Sequence, residues 1–153
     1  MLLYHYFDKK TGPFRNLSDL SEEEAYKVFL SIKAEKPETM CAKRQDSYVA
    51  DRRRFEEILR TEFRKKGGKI EREVPHYLVV GECPWLQSWF EDCDHIVIDT
   101  ADLDLSTVSF TYGDSHPTFS DRVMTMMRLF WLWWTLICRE KKSCRAKRPT
   151  LIR

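Results

Sequence analysis

Two stretches with apolar residues at helical spacing constrain the fold of this chain more than any other feature of its sequence. The first begins at Ser21, whose side chain can cap the leading backbone N–H groups while Glu24, three residues on, reaches back. Pro37 ends the pattern, because the residue before a proline is driven out of the helical region. The stretch predicts a helix with one apolar side, formed by Ala25, Val28, Phe29 and Ile32.

The second stretch runs from about residue 46 to residue 66. Its apolar side chains recur every four residues with one isoleucine beside them: Phe55, Leu59, Phe63 and Ile58. The pair Gly67-Gly68 then supplies a C-terminal stop. Charged residues stand at spacings that allow ion pairs along a helix, and they predict a solvated face: Arg52, Arg53, Arg54, Glu56, Glu57 and Glu62.

Short β-type runs lie on either side of these two stretches. They are LLYHYF (2–7), HYLVV (76–80), HIVID (95–99) and TVSFTY (107–112). Between the second and third runs, the apolar residues of PWLQSWF (84–90) suit a short helix. The order of these segments predicts a single α+β domain over residues 1–121, with two N-terminal helices packed on a small, largely antiparallel sheet.

The charge of the chain is divided unevenly along its length. Residues 1–121 contain 17 Lys and Arg against 23 Asp and Glu, a balance of −6, whereas residues 122–153 contain 9 against 1, a balance of +8. The acidic balance of the first part counts against nucleic acid as a partner. The basic end indicates either an arm for an anionic partner or a segment of different origin.

The segment VMTMMRLFWLWWTLIC (123–138) has three competing interpretations. As a membrane anchor it is shorter than the roughly 20 apolar residues that a bilayer requires, although the basic residues 139–148 would suit its cytoplasmic side. As a buried helix it is apolar on every side, which a small domain can seldom enclose. In the alternative reading frame its codons give acidic residues followed by apolar ones at helical spacing. We therefore expect residues 122–153 to be a basic, aromatic-rich tail translated out of frame.

Three groups of polar residues are candidates for a ligand site. His5 lies in the first strand, where alternation turns it away from the tyrosines on either side. Arg15 follows a Gly-Pro turn and can meet an anionic group, although loop arginines are commonly solvated. A turn after the last predicted strand carries an aromatic residue, a candidate general base and a candidate acid–base group: Tyr112, Asp114 and His116.

The cysteine and histidine pattern predicts no metal site. His76, Glu82 and Cys83 flank one apolar run, but their spacing does not demand a metal ion. The five cysteines show no CxxC spacing, which favours reduced thiols over a disulfide framework or a zinc site. The N-terminal apolar run is too short for a secretory signal. Together these observations predict a cytoplasmic protein.

Three segments resemble a family of uncharacterised bacterial proteins over roughly residues 3–120: GPFRNLSDLSEEEA, RTEFRKKGGKIEREVPHYLVVGECPWLQSWF and VSFTYGDSHPTF. The resemblance implies an origin and not a reaction. Members of that family look longer than this chain and continue in an acidic sequence past the point where this one departs, at about residue 122. This departure agrees with the interpretation of the tail as out of frame.

A more distant similarity links LYHYF and HIVIDTADLDLSTVSFTYGD to the outline of ADP-ribosyltransferase-like folds. In those folds a histidine on the first strand helps to hold a nicotinamide dinucleotide. The similarity implies that His5 and Tyr6 would serve this purpose here, with Glu82 as the candidate for the catalytic glutamate.

The sequence therefore predicts a ligand-binding or interaction module to which no reaction is assigned. The predicted ligand is a small anionic molecule or a nucleotide, bound near His5, Arg15 and the Tyr112 turn. An ADP-ribosyltransferase-like enzyme that uses a nicotinamide dinucleotide is the first alternative. A protein tethered to a membrane by residues 123–138 is the second.

Overall fold

The computed structural model describes residues 1–111, and its helices and strands follow the predicted order. They are β1 Leu2–Asp8, α1 Glu22–Glu35, α2 Tyr48–Lys65, β2 Val79–Val80, α3 Pro84–Gln87 and β3 Cys93–Asp99. Short 3-10 helices lie in the connections, at Leu17–Asp19, Thr100–Asp102 and Leu105–Thr107. The predicted fold class, a small α+β protein with an antiparallel sheet, is confirmed.

Strand β1 is the centre of the described sheet, whose order is β2-β1-β3. Both neighbours are antiparallel to β1; β3 pairs along its whole length and β2 through two residues. Because side chains alternate along a strand, His5 and Phe7 lie on one face while Tyr4 and Tyr6 lie on the other. The aromatic residues of the first strand are thus divided between two environments.

Helix α1 begins with the predicted capping box. The hydroxyl oxygen of Ser21 accepts the Glu24 N–H at 3.2 Å, and the Ser21 N–H donates to the Glu24 carboxylate at 3.1 Å. Ala25 and Phe29 are fully buried, but Val28 is 40% exposed. The buried side of α1 is therefore narrower than the apolar pattern predicts.

Helix α2 ends before the predicted glycine pair. Gly67 has a φ of +85°, a value that glycine adopts without strain, and the Gly68 N–H donates to the carbonyl of Phe63 at 3.0 Å. A Cβ atom on Gly68 would lie 2.3 Å from the Phe63 ring. Gly67 therefore supplies the positive φ of this turn, and a side chain at position 68 would require the Phe63 ring to move.

The apolar core lies mainly between the two long helices. Ala25 and Phe29 of α1 meet Val49 of α2, and the partly buried residues Leu17, Cys41 and Tyr48 pack around them. Phe55 of α2 and Leu3 of β1 are also buried. The core thus joins α1, α2 and the short helix Leu17–Asp19 into one layer.

Strand β2 is shorter than the run HYLVV predicts. Of residues 76–80, Val79 and Val80 alone form strand pairs, with Tyr4 and Leu3. The carbonyl of Tyr77 is bonded to the side chain of His5 and not to the backbone of β1. Gly81 then turns the chain away at a φ of +73°. A local turn and a side-chain contact thus replace the backbone strand pairing that the apolar run predicts.

The predicted strand at residues 107–112 is wrong over its described part. Residues 105–107 form a 3-10 helix, and residues 108–111 have no regular structure. The side chain of Asp104 accepts the Ser106 N–H at 2.9 Å, and the Thr107 hydroxyl donates to the Asp104 carbonyl at 2.7 Å. Such side-chain bonds offer the backbone an alternative to strand pairing.

Within residues 1–111, no helix has the length and apolar character needed to cross a membrane. The segment 123–138, which carries the anchor hypothesis, lies outside the described residues.

Candidate functional site

Both ring nitrogens of His5 are engaged inside the protein. Nε2 accepts the Phe14 N–H at 3.0 Å, so it carries no proton, and Nδ1 can then donate to the Tyr77 carbonyl at 3.0 Å. The ring stacks on that of Phe14 with 4.6 Å between centroids and 5° between planes. His5 therefore holds the loop after β1 and offers no nitrogen to a ligand.

Tyr6 lies on the opposite face of the sheet from His5. Its ring is beside those of Tyr4 and His95, and its hydroxyl accepts the Cys83 N–H at 2.8 Å. His5 and Tyr6 therefore do not converge on a common ligand, as the similarity to ADP-ribosyltransferase-like folds would require.

The other predicted site residues do not gather in the described part of the chain. Arg15 and Glu82 are both exposed, and neither bonds its side chain to another residue of 1–111. The three residues of the predicted turn, Tyr112, Asp114 and His116, lie outside the described residues. The structure thus brings none of the predicted ligand-binding side chains together within residues 1–111.

A different group of polar side chains does converge, and its centre is Arg52 of α2. The Arg52 guanidinium donates to the Asn16 side-chain oxygen at 2.7 Å, to the Ser18 hydroxyl at 3.0 Å and to the Tyr48 hydroxyl at 3.1 Å. It also lies 3.0 Å from the carboxylate of Glu56, which is only 6% exposed. We call these five residues the Arg52 network.

Tyr77 closes the Arg52 network from the side of β2. Its hydroxyl donates to the Glu56 carboxylate at 3.1 Å, and the Arg52 guanidinium lies 5.1 Å from its ring centroid. Burial of the hydroxyl end and the neighbouring carboxylate both raise the pKa of Tyr77. Burial opposes the charge of Arg52, but Tyr48 and Glu56 outweigh it and raise the pKa of Arg52. The network is thus a charged pair with its hydrogen bonds satisfied.

A cleft of about 540 Å³ lies next to the Arg52 network. Its volume is within the range of small-molecule sites. Arginines reach it from α2 and from the segment before β2, and carboxylates alternate with them; the lining is Ser18, Asp19, Arg53, Glu56, Glu57, Arg60, Arg72, Glu73 and Val74. We call this the arginine cleft.

Most guanidinium groups of the arginine cleft have acceptors within the protein. Arg72 donates to the Asp19 carboxylate at 2.8 Å, and Arg60 donates to the Glu73 carbonyl at 2.9 Å. Arg53 donates to the Leu20 carbonyl through its terminal nitrogen, but its Nε is buried and has no acceptor among the described residues. A buried donor without an acceptor is rare in proteins, so the Nε of Arg53 calls for an explanation.

The sequence interpretation missed this site because it placed Arg52 and Glu56 on a solvated face. A signal was present: Val49, Arg52, Phe55 and Glu56 fall at intervals of three, three and one, which puts them on one side of a helix. The partners that bury this side come from residues 16–18 and from Tyr77. They are too distant in sequence for helical spacing to reveal.

Comparisons with protein-family models, curated proteins and solved structures found no match to this chain. Within the described residues, no three His, Cys, Asp or Glu side chains are placed to hold a metal ion.

Proposed function

We propose that this chain is a binding module for a small anionic ligand, which it takes up in the arginine cleft without catalysing a reaction. The observation that carries the proposal is the buried Nε of Arg53, which has no acceptor among residues 1–111 in a cleft of about 540 Å³. A phosphate or carboxylate oxygen is the acceptor that a guanidinium binds best, because the bond is charge-assisted. After a rotation of the Arg53 side chain towards the cleft, such an oxygen would accept the Nε hydrogen bond that is unpaired within residues 1–111.

The charge of the cleft narrows the ligand class. Three arginines face four carboxylates in the lining, a formal balance of −1. A bare polyanion would be repelled by this balance, so the ligand needs hydrogen-bond donors for the carboxylates as well as one anionic group for Arg53. A mononucleotide meets this requirement, because its phosphate is an acceptor and its sugar and base carry donors. The acidic balance of residues 1–121 supports a small ligand over a nucleic acid.

A ligand screen by thermal unfolding tests the proposal. We expect AMP or another mononucleotide to raise the Tm, whereas adenosine, which lacks the phosphate, should not. A ligand at 100 times its Kd stabilises the folded state by about 2.7 kcal/mol. Failure of every anionic compound in the screen to raise the Tm would contradict the proposal.

A pair of variants locates the bound ligand. Arg53→Gln removes the guanidinium from the cleft and should abolish the shift in Tm. Arg64→Gln removes an exposed arginine from the same helix, outside the lining, and should keep it. Equal loss in both variants would mean that the ligand responds to the charge of the helix and not to the cleft.

The same screen includes NAD, because the sequence suggests an enzyme as the first alternative. An ADP-ribosyl transfer would release nicotinamide, which chromatography detects. The opposite orientation of His5 and Tyr6 gives that alternative no support, so we expect NAD to remain intact. Membership of the bacterial family suggested by the three resembling segments stays a proposal about origin.

A further inference from the structure

The loop between β1 and the first 3-10 helix contains a strained residue. Phe14 has a φ of +56°, and among the described residues it is the one non-glycine with a positive φ. Bulky residues avoid this region because the Cβ atom approaches the backbone. The surrounding structure must therefore hold Phe14 in place.

His5 provides the contact that holds Phe14 in this conformation. The Phe14 N–H donates to Nε2 of His5, and the two rings are stacked almost parallel. The other side of the Phe14 ring packs against His76, with 5.0 Å between centroids. We call the N–H···Nε2 bond and the stacked rings together the His5–Phe14 contact.

The strained loop leads directly into the arginine cleft. Asn16, two residues after Phe14, accepts a hydrogen bond from Arg52 and donates one to the Pro75 carbonyl at 3.2 Å. Ser18 and Asp19 follow and line the cleft. A change in the conformation of Phe14 would therefore move residues that form one wall of the cleft.

We propose that the His5–Phe14 contact is a proton-sensitive control of the arginine cleft: a proton on Nε2 of His5 breaks the contact, releases the strained loop and weakens ligand binding. The effect on binding rests on the proposed function; the effect on the loop does not. The geometry makes the His5–Phe14 contact sensitive to protonation, because Nε2 can accept the Phe14 N–H only while Nε2 carries no proton. A ring protonated at Nε2 would place its own N–H against the Phe14 N–H.

The charged groups around His5 come from three parts of the chain. His76 and Arg72 precede β2, Arg15 follows Phe14 in the loop, and Asp94 of β3 pairs with Phe7 on the face that His5 shares. Burial and the charge of Arg72 lower the pKa of His76, which favours its neutral form.

Nuclear magnetic resonance of the full chain without ligand tests the loop directly. A titration from about pH 8 to about pH 5 covers the range in which imidazoles bind a proton. At the upper end, long-range nitrogen–proton correlations should show His5 with its proton on Nδ1. On acidification, the Phe14 amide signal should move together with the His5 ring signals, and the Phe14 amide should exchange faster with solvent.

Three variants assign the transition to His5. His5→Gln keeps a hydrogen-bond acceptor but cannot be protonated, so the pH dependence of the Phe14 amide should disappear. His95→Gln on the opposite sheet face and His76→Gln on the far side of Phe14 should both retain it. The wild-type spectra alone overturn the proposal if His5 carries its proton on Nε2 at pH 8, or if the Phe14 amide does not respond to pH.

The ligand arm uses 3′,5′-cyclic AMP, whose single phosphodiester charge is constant over this pH range and whose sugar and base carry hydrogen-bond donors. If a tenth of the molecules keep the loop closed at the acid end, the apparent affinity falls about tenfold. The loss should be absent in His5→Gln. Cyclic AMP binding that is unchanged by pH while the Phe14 amide titrates would overturn the control of the cleft. Absence of cyclic AMP binding at every pH, with the amide transition intact, would count against the proposed function and leave the proton-sensitive loop standing.

Discussion

Asp8 and Lys36 show how single residues connect the sheet to the helices. Asp8 ends β1 and Lys36 caps α1, and their charged groups are 2.5 Å apart with side chains 13% and 27% exposed. Burial acts to raise the pKa of Asp8, but the bond to Lys36 and the amides of Thr11 and Lys10 outweigh it and lower that pKa. The bond to Asp8 raises the pKa of Lys36. Both charges are therefore stabilised by folding.

We expect Lys36→Gln to lower the free energy of unfolding by about 1.5 kcal/mol at pH 7, because hydrogen bonds between charged groups contribute about that much. Urea unfolding measures the difference. The lowered pKa of Asp8 means that its contribution is present above the unfolded value of 3.8 and is lost as the pH falls through the folded pKa. The difference in unfolding free energy between the wild type and Lys36→Gln should therefore shrink only below pH 3.8.

Lys65→Gln is the matched control for this prediction. Lys65 bonds to Glu62 at 2.8 Å, but both side chains are more than half exposed. Surface pairs of this kind are screened by solvent and contribute little to stability. A loss of stability in Lys65→Gln equal to that in Lys36→Gln would show that the position of the pair is unimportant.

Residues at this scale were the hardest to predict from sequence. Ser21 and Glu24 were identified because a capping box involves neighbours three residues apart. The charge pattern of α2 predicts a solvated Arg52, although its spacing from Val49 and Phe55 puts it on the buried side of the helix. Arg52 is the centre of a network because it contacts Asn16 and Tyr77. The complete fold brings these two residues to Arg52, so helical spacing alone does not reveal them.

The starts of α1 and α2 differ in their local chemistry. Ser21 caps α1 through its hydroxyl, whereas Ser47 stands at the equivalent position of α2 without a side-chain cap bond. The two serines thus form a natural comparison within one protein.

We expect Ser21→Ala to lower the free energy of unfolding by about 1 kcal/mol, the usual cost of losing a helix cap. Ser47→Ala should cost much less, because no cap bond is lost. Thermal unfolding followed by circular dichroism measures both. Equal costs would show that the capping box of α1 does not contribute to stability.

Elements with local signals were predicted well, and elements that depend on partners were not. The capping box and the glycine pair bounded α1 and α2 closely. The run at 76–80 contains two strand residues, and the run at 107–111 forms no strand. In both runs, turns and side-chain bonds take the place of strand pairing. Apolar composition alone does not determine whether a strand finds a partner.

On the scale of the whole molecule, polar groups connect the helices to the sheet within residues 1–111. The buried apolar residues within 1–111 are Leu3, Ala25, Phe29, Val49 and Phe55, and most of them lie between the helices. The Asp8–Lys36 pair, Glu56 and Tyr77 bridge the two parts. The α+β class followed from the order of segments in the sequence, but this polar junction did not.

If residues 122–153 tether the protein to a membrane, the full chain will bind to anionic vesicles and a chain ending at Asp121 will not. Residues 122–153 have a balance of +8 and include an apolar segment, whereas residues 1–121 have a balance of −6. Vesicle flotation measures the bound fraction, and uncharged vesicles separate the apolar contribution from the electrostatic one. Flotation of the shortened chain would place a membrane-binding surface within the first 121 residues.

Arg52 also limits how this protein can change over generations. Asn16, Ser18 and Tyr48 all accept hydrogen bonds from one guanidinium. Lysine has a single terminal nitrogen and lacks the flat fork that reaches several acceptors at fixed angles. A descendant that lost this arginine would need compensating substitutions at three positions at once, so we expect substitutions at position 52 to be rare.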